Sequence, residues 1–347
     1  MRWSSSDPIC RPETTFRQAP SSRAPRLLRW HYAWLVLFGV SLASAGGCRS
    51  LCCSHHPQPP SGPPLARNPT SSIWLISGRG IDPLASGPNY YRYQGPEQWV
   101  PAAPGEFHST DSPDERTVVF VHGGRCTEPE AVVMGWELLE QLAARDAGPF
   151  RYVIYSWPAE RTDESMLADL RLWESKTEMQ GPPLASALQG IDPRQPVSLV
   201  GHSFGGAIIL SAMDWMGGGD SQARGPNPVP ACRQFRVTLV APAVEADCLL
   251  PGHRFDHALA PLERMLVLYN SHDLLMRHYN WLKPGLKQRS LGQATATGLD
   301  QLGLDGTKVI QRDVSSVMHF FHRWKYYVDR RVLESYAADF ALYHGGQ

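Results

Sequence analysis

The stretch "VSLVGHSFGGAIIL", Val197 to Leu210, constrains this chain more than any other. Four strand-like residues run into Gly-His-Ser-Phe-Gly, and an apolar helical run follows without a linker. A Gly-x-Ser-x-Gly step from strand to helix forces a tight, strained turn that lifts the serine oxygen above a sheet. Gly201 and Gly205 remove Cβ atoms where strand and helix come too close for anything larger. A helix starting just after Ser203 turns its free amides and its positive dipole end toward any negative charge formed there. Chance alone can place a serine between glycines. The strand before it and the helix after it are the context a nucleophile needs.

The rest of the chain repeats the same alternation. "SSIWLIS" (71–77), "TVVFVHGG" (117–124), "YVIYSW" (152–157), "FRVTLVAP" (235–242), "RMLVLYNSHD" (264–273) and "TKVIQRDV" (307–314) read as strands or strand exits. Val133, Trp136, Leu139, Leu142 and Ala143 recur at helical spacing and predict a helix over 130–146. Met166, Leu170, Trp173 and Thr177 predict another over 164–178. Pro182 and Pro183 predict a break there, followed by a short separate helix. Helices are also expected over 207–216 and 321–342. Residues 78–116 read as turn-rich, with Tyr90, Tyr91, Tyr93 and Trp99 packed on the domain edge. Strands apolar on both faces, alternating with amphipathic helices, predict an α/β fold: a mostly parallel central sheet with helices on both faces. The first strand exit, "HGGRC", has neither the GxGxxG spacing nor a P-loop lysine, which argues against a nucleotide-binding version of that architecture.

Charge narrows the partners. Lys+Arg and Asp+Glu are 33 each in 347 residues, so the basic excess of a nucleic-acid binder is missing. Seven cysteines form no repeated CxxC pair, and nothing reads as a zinc site. Cys232 and Cys248 flank one strand at opposite ends, too far apart to bridge. Cys126 is expected to pack behind the "HGGR" loop.

The N-terminus carries an address. Arg23, Arg26 and Arg29 precede an apolar run from Trp30 to Ala45 whose clean core, Ala33 to Val40, is well short of the roughly 20 residues of a membrane-spanning helix. With "ASA" at Ala43 to Ala45, this fits an export signal cleaved before Gly46. A retained membrane anchor is the alternative, and "SAGGC" loosely resembles a lipoprotein box at Cys48. Residues 52–69 are Pro-rich and polar, a semi-rigid tether in which His55 and His56 are solvated. The expected organisation is an N-terminal extension with signal or anchor over 1–45, a linker over 46–70 and a catalytic-type domain over 71–347. The expected location is exported or associated with the cell envelope.

In an open parallel sheet, ligands sit beyond the carboxyl ends of the strands. A serine there needs a base, and the base an orienting acid, in the chain order serine, acid, histidine. Asp273 leaves the strand two beyond the serine and leads the acids; Glu245 and Asp247 are the alternatives. For the base, "MHFFHRWKYY" offers His319 and His322, and His322 is favoured because it stands where the loop enters a helix. His202 is adjacent to the serine in a sharp turn and is expected to pack or shape that turn. Oxyanion donors are expected from the amides of Phe204 and Gly124, with Arg125 next in line.

"TVVFVHGG", "LVGHSFGG", "NSHD" and a late histidine resemble the α/β-hydrolase superfamily from Thr117 to the C-terminus. More narrowly, "SSIWLISGRG", "GHSFGGAIILSAMDWMGGG", "APAVEADCLLPG" and "HRWKYY" resemble a group of exported bacterial hydrolase-like proteins of largely unassigned chemistry, from Ser71 onward. The resemblance implies the α/β-hydrolase fold with Ser203, Asp273 and His322 as catalytic triad. In the narrower group an Asn often stands where this chain has Gly124, so a side-chain role is lost there while the backbone donor is kept. The expected function is a serine hydrolase cleaving a carboxylic ester through an acyl-enzyme, without metal or organic cofactor, on a small-molecule or lipid-like ester. Trp157, Met166, Trp173 and the segment 290–303 are candidate walls of an apolar acyl pocket. The alternative is a catalytically inactive protein that keeps the fold for binding or surface display.

Overall fold

A computed structural model describes residues 70–80, 87–95, 98–145, 148–219, 234–279, 289–304 and 306–342, all within the unit His56–Gln347. The export signal or anchor, the linker up to residue 69 and Cys232 lie outside the described residues. Among those described, no helix is long and apolar enough to cross a membrane.

Nine strands form one sheet: β1 (Thr70–Ser77), β2 (Asn89–Tyr93), β3 (Trp99–Ala102), β4 (Arg116–Val121), β5 (Phe150–Ser156), β6 (Val197–His202), β7 (Phe235–Val240), β8 (Leu262–Tyr269) and β9 (Val309–Asp313). Their order across the sheet is β3-β2-β1-β5-β4-β6-β7-β8-β9. The pairings among β1 and β4 to β9 are parallel, while β2 and β3 extend the β1 edge antiparallel. Every residue of β4, β5, β6 and β7 is buried. Val119 and Val121 belong to the apolar core on one face and Val118 and Phe120 to the core on the other. That is the two-sided burial that continuous apolar strands require.

The register sets up the site. Val121 on β4 pairs with Gly201 on β6, and His202 pairs with Val240 on β7. The exits of β4, β6 and β7 therefore open side by side at one rim.

Three expectations are corrected. The segment 78–116 is not merely turn-rich: it carries β2, β3 and a helical turn, α1 (Pro104–His108). Tyr93 and Trp99 there pack on each other and on Trp136, with ring centroids 5.2 Å and 5.0 Å from Tyr93. Pro101 is tolerated because β3 is the edge of the sheet. Second, the helix α3 (Met166–Gln189), which follows α2 (Glu128–Ala143), runs through Pro182 and Pro183 without a break. Pro182 cannot donate to the carbonyl of Glu178; the Ser211 hydroxyl of α4 (Phe204–Met216) does so, at 3.4 Å. Third, the expected closing helix over 321–342 is divided into Trp324–Asp329, a wide π-turn over Leu333–Ala338 and Asp339–Leu342. Arg331, at φ 54°, interrupts it.

Candidate active site

Ser203 is the residue between β6 and α4, at φ 52° and ψ −119°. A non-glycine residue held there costs on the order of 1–3 kcal/mol. The turn is pinned from three sides: the Ser203 amide donates to Val240 O (2.9 Å), and its carbonyl accepts from Gly206 (3.0 Å) and Ala243 (3.1 Å). Glycine is obligatory behind it, since a Cβ on Gly205 would stand 2.1 Å from the Val121 carbonyl oxygen. The serine is less open than a surface nucleophile, at 5 % exposure.

Asp273 and His322 reach Ser203 from later exits. His322 Nε2 lies 3.0 Å from Ser203 Oγ, and its Nδ1 lies 2.7 Å from Asp273 Oδ2. Asp273 is fully buried, and its other oxygen accepts from the amides of Leu275 and Met276, both at 2.9 Å. One carboxylate thus caps a helical turn and orients an imidazole. An ionised carboxylate only accepts, so Nδ1 carries the proton and Nε2 is free to accept from the serine hydroxyl.

The alternatives fall elsewhere. His319 is exposed, at φ 52°, at the end of the short helix Ser315–Met318. Asp247 lies 3.3 Å from His253, and Glu245 lies 3.6 Å from Arg254.

Asn270, which the sequence reading did not single out, and His202 hold the His322 loop. Asn270 Nδ2 donates to the Phe321 carbonyl (3.0 Å), and His202 Nε2 to that of His322 (3.2 Å). Consecutive carbonyls of the histidine loop are thus gripped from the exit of β8 and the end of β6. His202 is buried beside His322, Trp324 and Tyr327, and burial pushes its pKa down to about 3, with His322 adding to the effect. The expectation that it packs in the turn missed this bond. Nothing in the local sequence distinguishes these two polar residues from ordinary turn formers.

The loop after β4 supplies the opposite wall. A Cβ on Gly123 would stand 2.8 Å from His202 Nδ1 and 3.3 Å from Ser203 Cβ, so this backbone runs directly over the serine turn. A Cβ on Gly124 would stand 2.7 Å from the Trp173 indole and 3.0 Å from the Phe204 ring. Behind the loop, the amide of Trp157 donates to His122 Nε2 (3.1 Å), which leaves Nδ1 as the protonated nitrogen, donating to Gly123 O (2.7 Å). Burial, then the Arg79 charge, hold His122 well below its ordinary pKa. Arg79 also donates to Ser156 Oγ (2.6 Å) and Cys126 O (2.9 Å) and is ion-paired to Glu160. Cys126 is buried behind the loop, as expected, with its amide on Ala159 O (2.9 Å). Trp157 is fully buried and stacked on His122, so it is core and not pocket wall.

Among the described residues, the one group with metal-ligand spacing is Asp214, Asp256 and His257. Their atoms are already engaged: His257 Nδ1 donates to Asp256 (2.6 Å), and Asp214 accepts the His257 amide (3.0 Å). None of them belongs to the serine–histidine–aspartate array.

A parallel sheet with a strained serine at one strand exit and an acid and histidine from later exits defines the architecture of an α/β hydrolase. The model of the alpha/beta hydrolase family matches residues 118–341, and the chain belongs to that family. No curated protein matches the sequence. Solved structures similar to the chain include a poly(3-hydroxybutyrate) depolymerase, LpqC, from Bordetella parapertussis: 13% identity over 78% of this chain and 89% of that one, TM-score 0.41. Others are esterase B from Lactobacillus rhamnosis (16% identity, 75% and 80% covered, TM-score 0.35) and carboxyl esterase 2 from Tuber melanosporum (13%, 80% and 88%, TM-score 0.39).

Proposed function

We propose that the protein is a serine hydrolase that cleaves a carboxylic ester through an acyl-enzyme. The observation that carries this reading is the unbroken hydrogen-bond line Ser203 Oγ, His322 Nε2, His322 Nδ1, Asp273 Oδ2, at 3.0 Å and 2.7 Å. His322 takes the serine proton as Oγ attacks the ester carbonyl, and Asp273 stabilises the imidazolium that results. The amides of Phe204 and Gly124 hold the developing oxyanion, each contributing about 3 kcal/mol in comparable sites. Phe204 suits this because the first amides of a helix have no partner within it. His322 then returns its proton to the leaving alkoxide, and the alcohol departs. Water, deprotonated by the same imidazole, attacks the acyl-enzyme; its proton goes back to Ser203 as the acid is released.

Nothing in this cycle calls on a metal or organic cofactor. The chain's apolar leader region, with its basic flank, is consistent with action outside the cytoplasm on a small or lipid-like ester.

The test is labelling with a fluorophosphonate, alongside turnover of 4-nitrophenyl butyrate. Wild type should label and turn over, and Ser203→Ala should do neither. Identical labelling of the two proteins would sink the reading and leave a binding protein that keeps the fold.

A further inference from the structure

Three arginines stand around the proposed reaction centre, each held there by backbone that is pinned. Arg125 follows Gly124, at φ 59°, in the loop that crosses the serine turn. Arg161 lies on the adjoining loop, which the antiparallel bridge between Cys126 and Ala159 fastens to the first. Arg161 follows two residues after Ala159, near enough for its charge to act on Arg125. Its neighbours are fixed as well: Trp173 Nε1 donates to Glu160 O (2.9 Å), and Asp169 accepts the Thr162 amide (2.9 Å) and hydroxyl (2.6 Å). Arg323 directly follows His322.

All three are exposed, and none of their guanidinium groups makes a hydrogen bond or ion pair among the described residues. They are close enough that Arg161 and Arg323 both depress the pKa of Arg125, after the larger effect of burial. The carboxylates that face Arg125 are Asp169 and Glu130. Both are already engaged, Asp169 by Thr162 and Glu130 by the Thr127 amide (2.8 Å) and hydroxyl (2.9 Å). Arg79, the other guanidinium nearby, is committed to Glu160 and the loop backbone. Three guanidinium groups thus face two carboxylates, an excess of positive charge that concentrates counter-charged ligands. Arginine is also the side chain whose fork matches carboxylate and phosphate oxygens two at a time. Asp169 and Glu130 offset part of the repulsion among the three arginines, and an arriving anion relieves the remainder.

We infer that Arg125, Arg161 and Arg323 form an anion-recognising rim, and that the preferred substrate is an ester carrying a carboxylate or phosphate-type group near the scissile carbonyl. This deepens the serine-hydrolase reading and rests on it.

The experiment compares kcat/KM for 4-nitrophenyl hemisuccinate and 4-nitrophenyl 3-phosphonopropionate with that for the neutral 4-nitrophenyl butyrate. Wild type should favour at least one charged ester, and which one identifies the anion. The charged-to-neutral ratio should fall about tenfold in Arg125→Gln and in Arg323→Gln, as expected for loss of a charge-assisted contact. It should also shrink as salt rises from about 0.05 to 0.5 M. A wild-type ratio at or below one, or a ratio unchanged in Arg161→Gln/Arg323→Gln, overturns the inference. So does a ratio of one combined with faster butyrate turnover on phosphatidylglycerol vesicles, which would assign the arginines to a lipid surface. Calorimetric binding of the same esters to Ser203→Ala separates the two readings. Equal binding of charged and neutral esters removes the anion site; charge-selective binding without wild-type turnover keeps that site and removes the hydrolase.

Discussion

His122 donates from Nδ1 to the carbonyl of Gly123 at 2.7 Å, and so decides where the amide of Gly124 points. Carbonyl and following N–H share one trans peptide plane and face opposite ways. Drawing Gly123 O into the core against a buried imidazole therefore turns Gly124 N–H outward, away from that core. Replacing His122 by Phe frees this peptide to rotate. Turnover kinetics should show kcat lower by roughly 10- to 100-fold with KM little changed, because oxyanion stabilisation acts on the transition state. His122→Asn restores a nitrogen near the position of Nδ1 and should recover part of kcat. Equal losses in both variants would mean that His122 serves only packing.

Gly124 is fixed by space as well as by this hydrogen bond. A methyl group there meets the Trp173 indole at 2.7 Å and the Phe204 ring at 3.0 Å. The indole cannot swing clear without giving up its bond to Glu160 O. Gly124→Ala should therefore displace the loop that carries the proposed donor. Overpacking of this kind costs about 1–3 kcal/mol, readable as a lower urea midpoint, and kcat should fall at least about tenfold. Wild-type kcat in a folded Gly124→Ala protein would remove Gly124 from the proposed oxyanion site.

Asp273 has two tasks that two substitutions separate. Asn keeps an oxygen for the amides of Leu275 and Met276, but can offer Nδ1 of His322 a donor in place of an acceptor. That favours the wrong tautomer, and kcat should drop by roughly 10⁴ with the urea midpoint nearly kept. Asp273→Ala removes the cap too, which costs about 1 kcal/mol more stability. Should Asn retain most of the turnover, the acid lies elsewhere.

How far the sequence could be read depended on the range of the interaction involved. Ser203 and its glycines were legible because the constraint is local: a Cβ on Gly205 collides with the neighbouring strand whatever the rest of the chain does. Buried strands β4 to β7 announced themselves by unbroken apolar runs. Asp273 and His322 followed from chain order and strand exits, although His319, three residues away, had the same chemistry. The clamp of Asn270 and His202 on the histidine loop was not legible, since each bond spans more than fifty residues and uses a backbone carbonyl. The helix through Pro182 and Pro183 was hidden for the same reason. Its freed carbonyl is met by Ser211 on another element, which no local rule can foresee.

The two buried thiols should be inert. Burial pushes Cys126 up to about 12 and raises Cys248 further still, with Glu245 adding to the latter. The thiolate is the reactive species, so native protein at pH 8 should carry no iodoacetamide adduct at either position by peptide mass mapping. Both should react fully in urea. Adduct on Cys126 in the native state would show that the loop behind the proposed oxyanion site opens.

Acid should destabilise the protein through two histidines that the fold keeps neutral. His202 is depressed to about 3 and His122 is depressed well below its ordinary value, both chiefly by burial. In the unfolded chain each takes up a proton near pH 6.5. Above that pH both states are neutral and neither histidine affects stability. As pH falls below it, the unfolded state binds protons that the native state refuses, so unfolding becomes easier with each step down. The loss approaches about 1.4 kcal/mol per pH unit for each histidine and continues for His202 until pH nears 3. Urea midpoints at constant salt should therefore be flat from pH 8 to 7 and decline steadily from pH 6 to 4. In His202→Gln that decline should be shallower, even though the variant is less stable at pH 7 for want of ring packing against Trp324 and Tyr327. An identical slope in wild type and variant would mean that His202 takes up its proton in the folded protein, with Nε2 still donating to the His322 carbonyl and the new N–H at Nδ1.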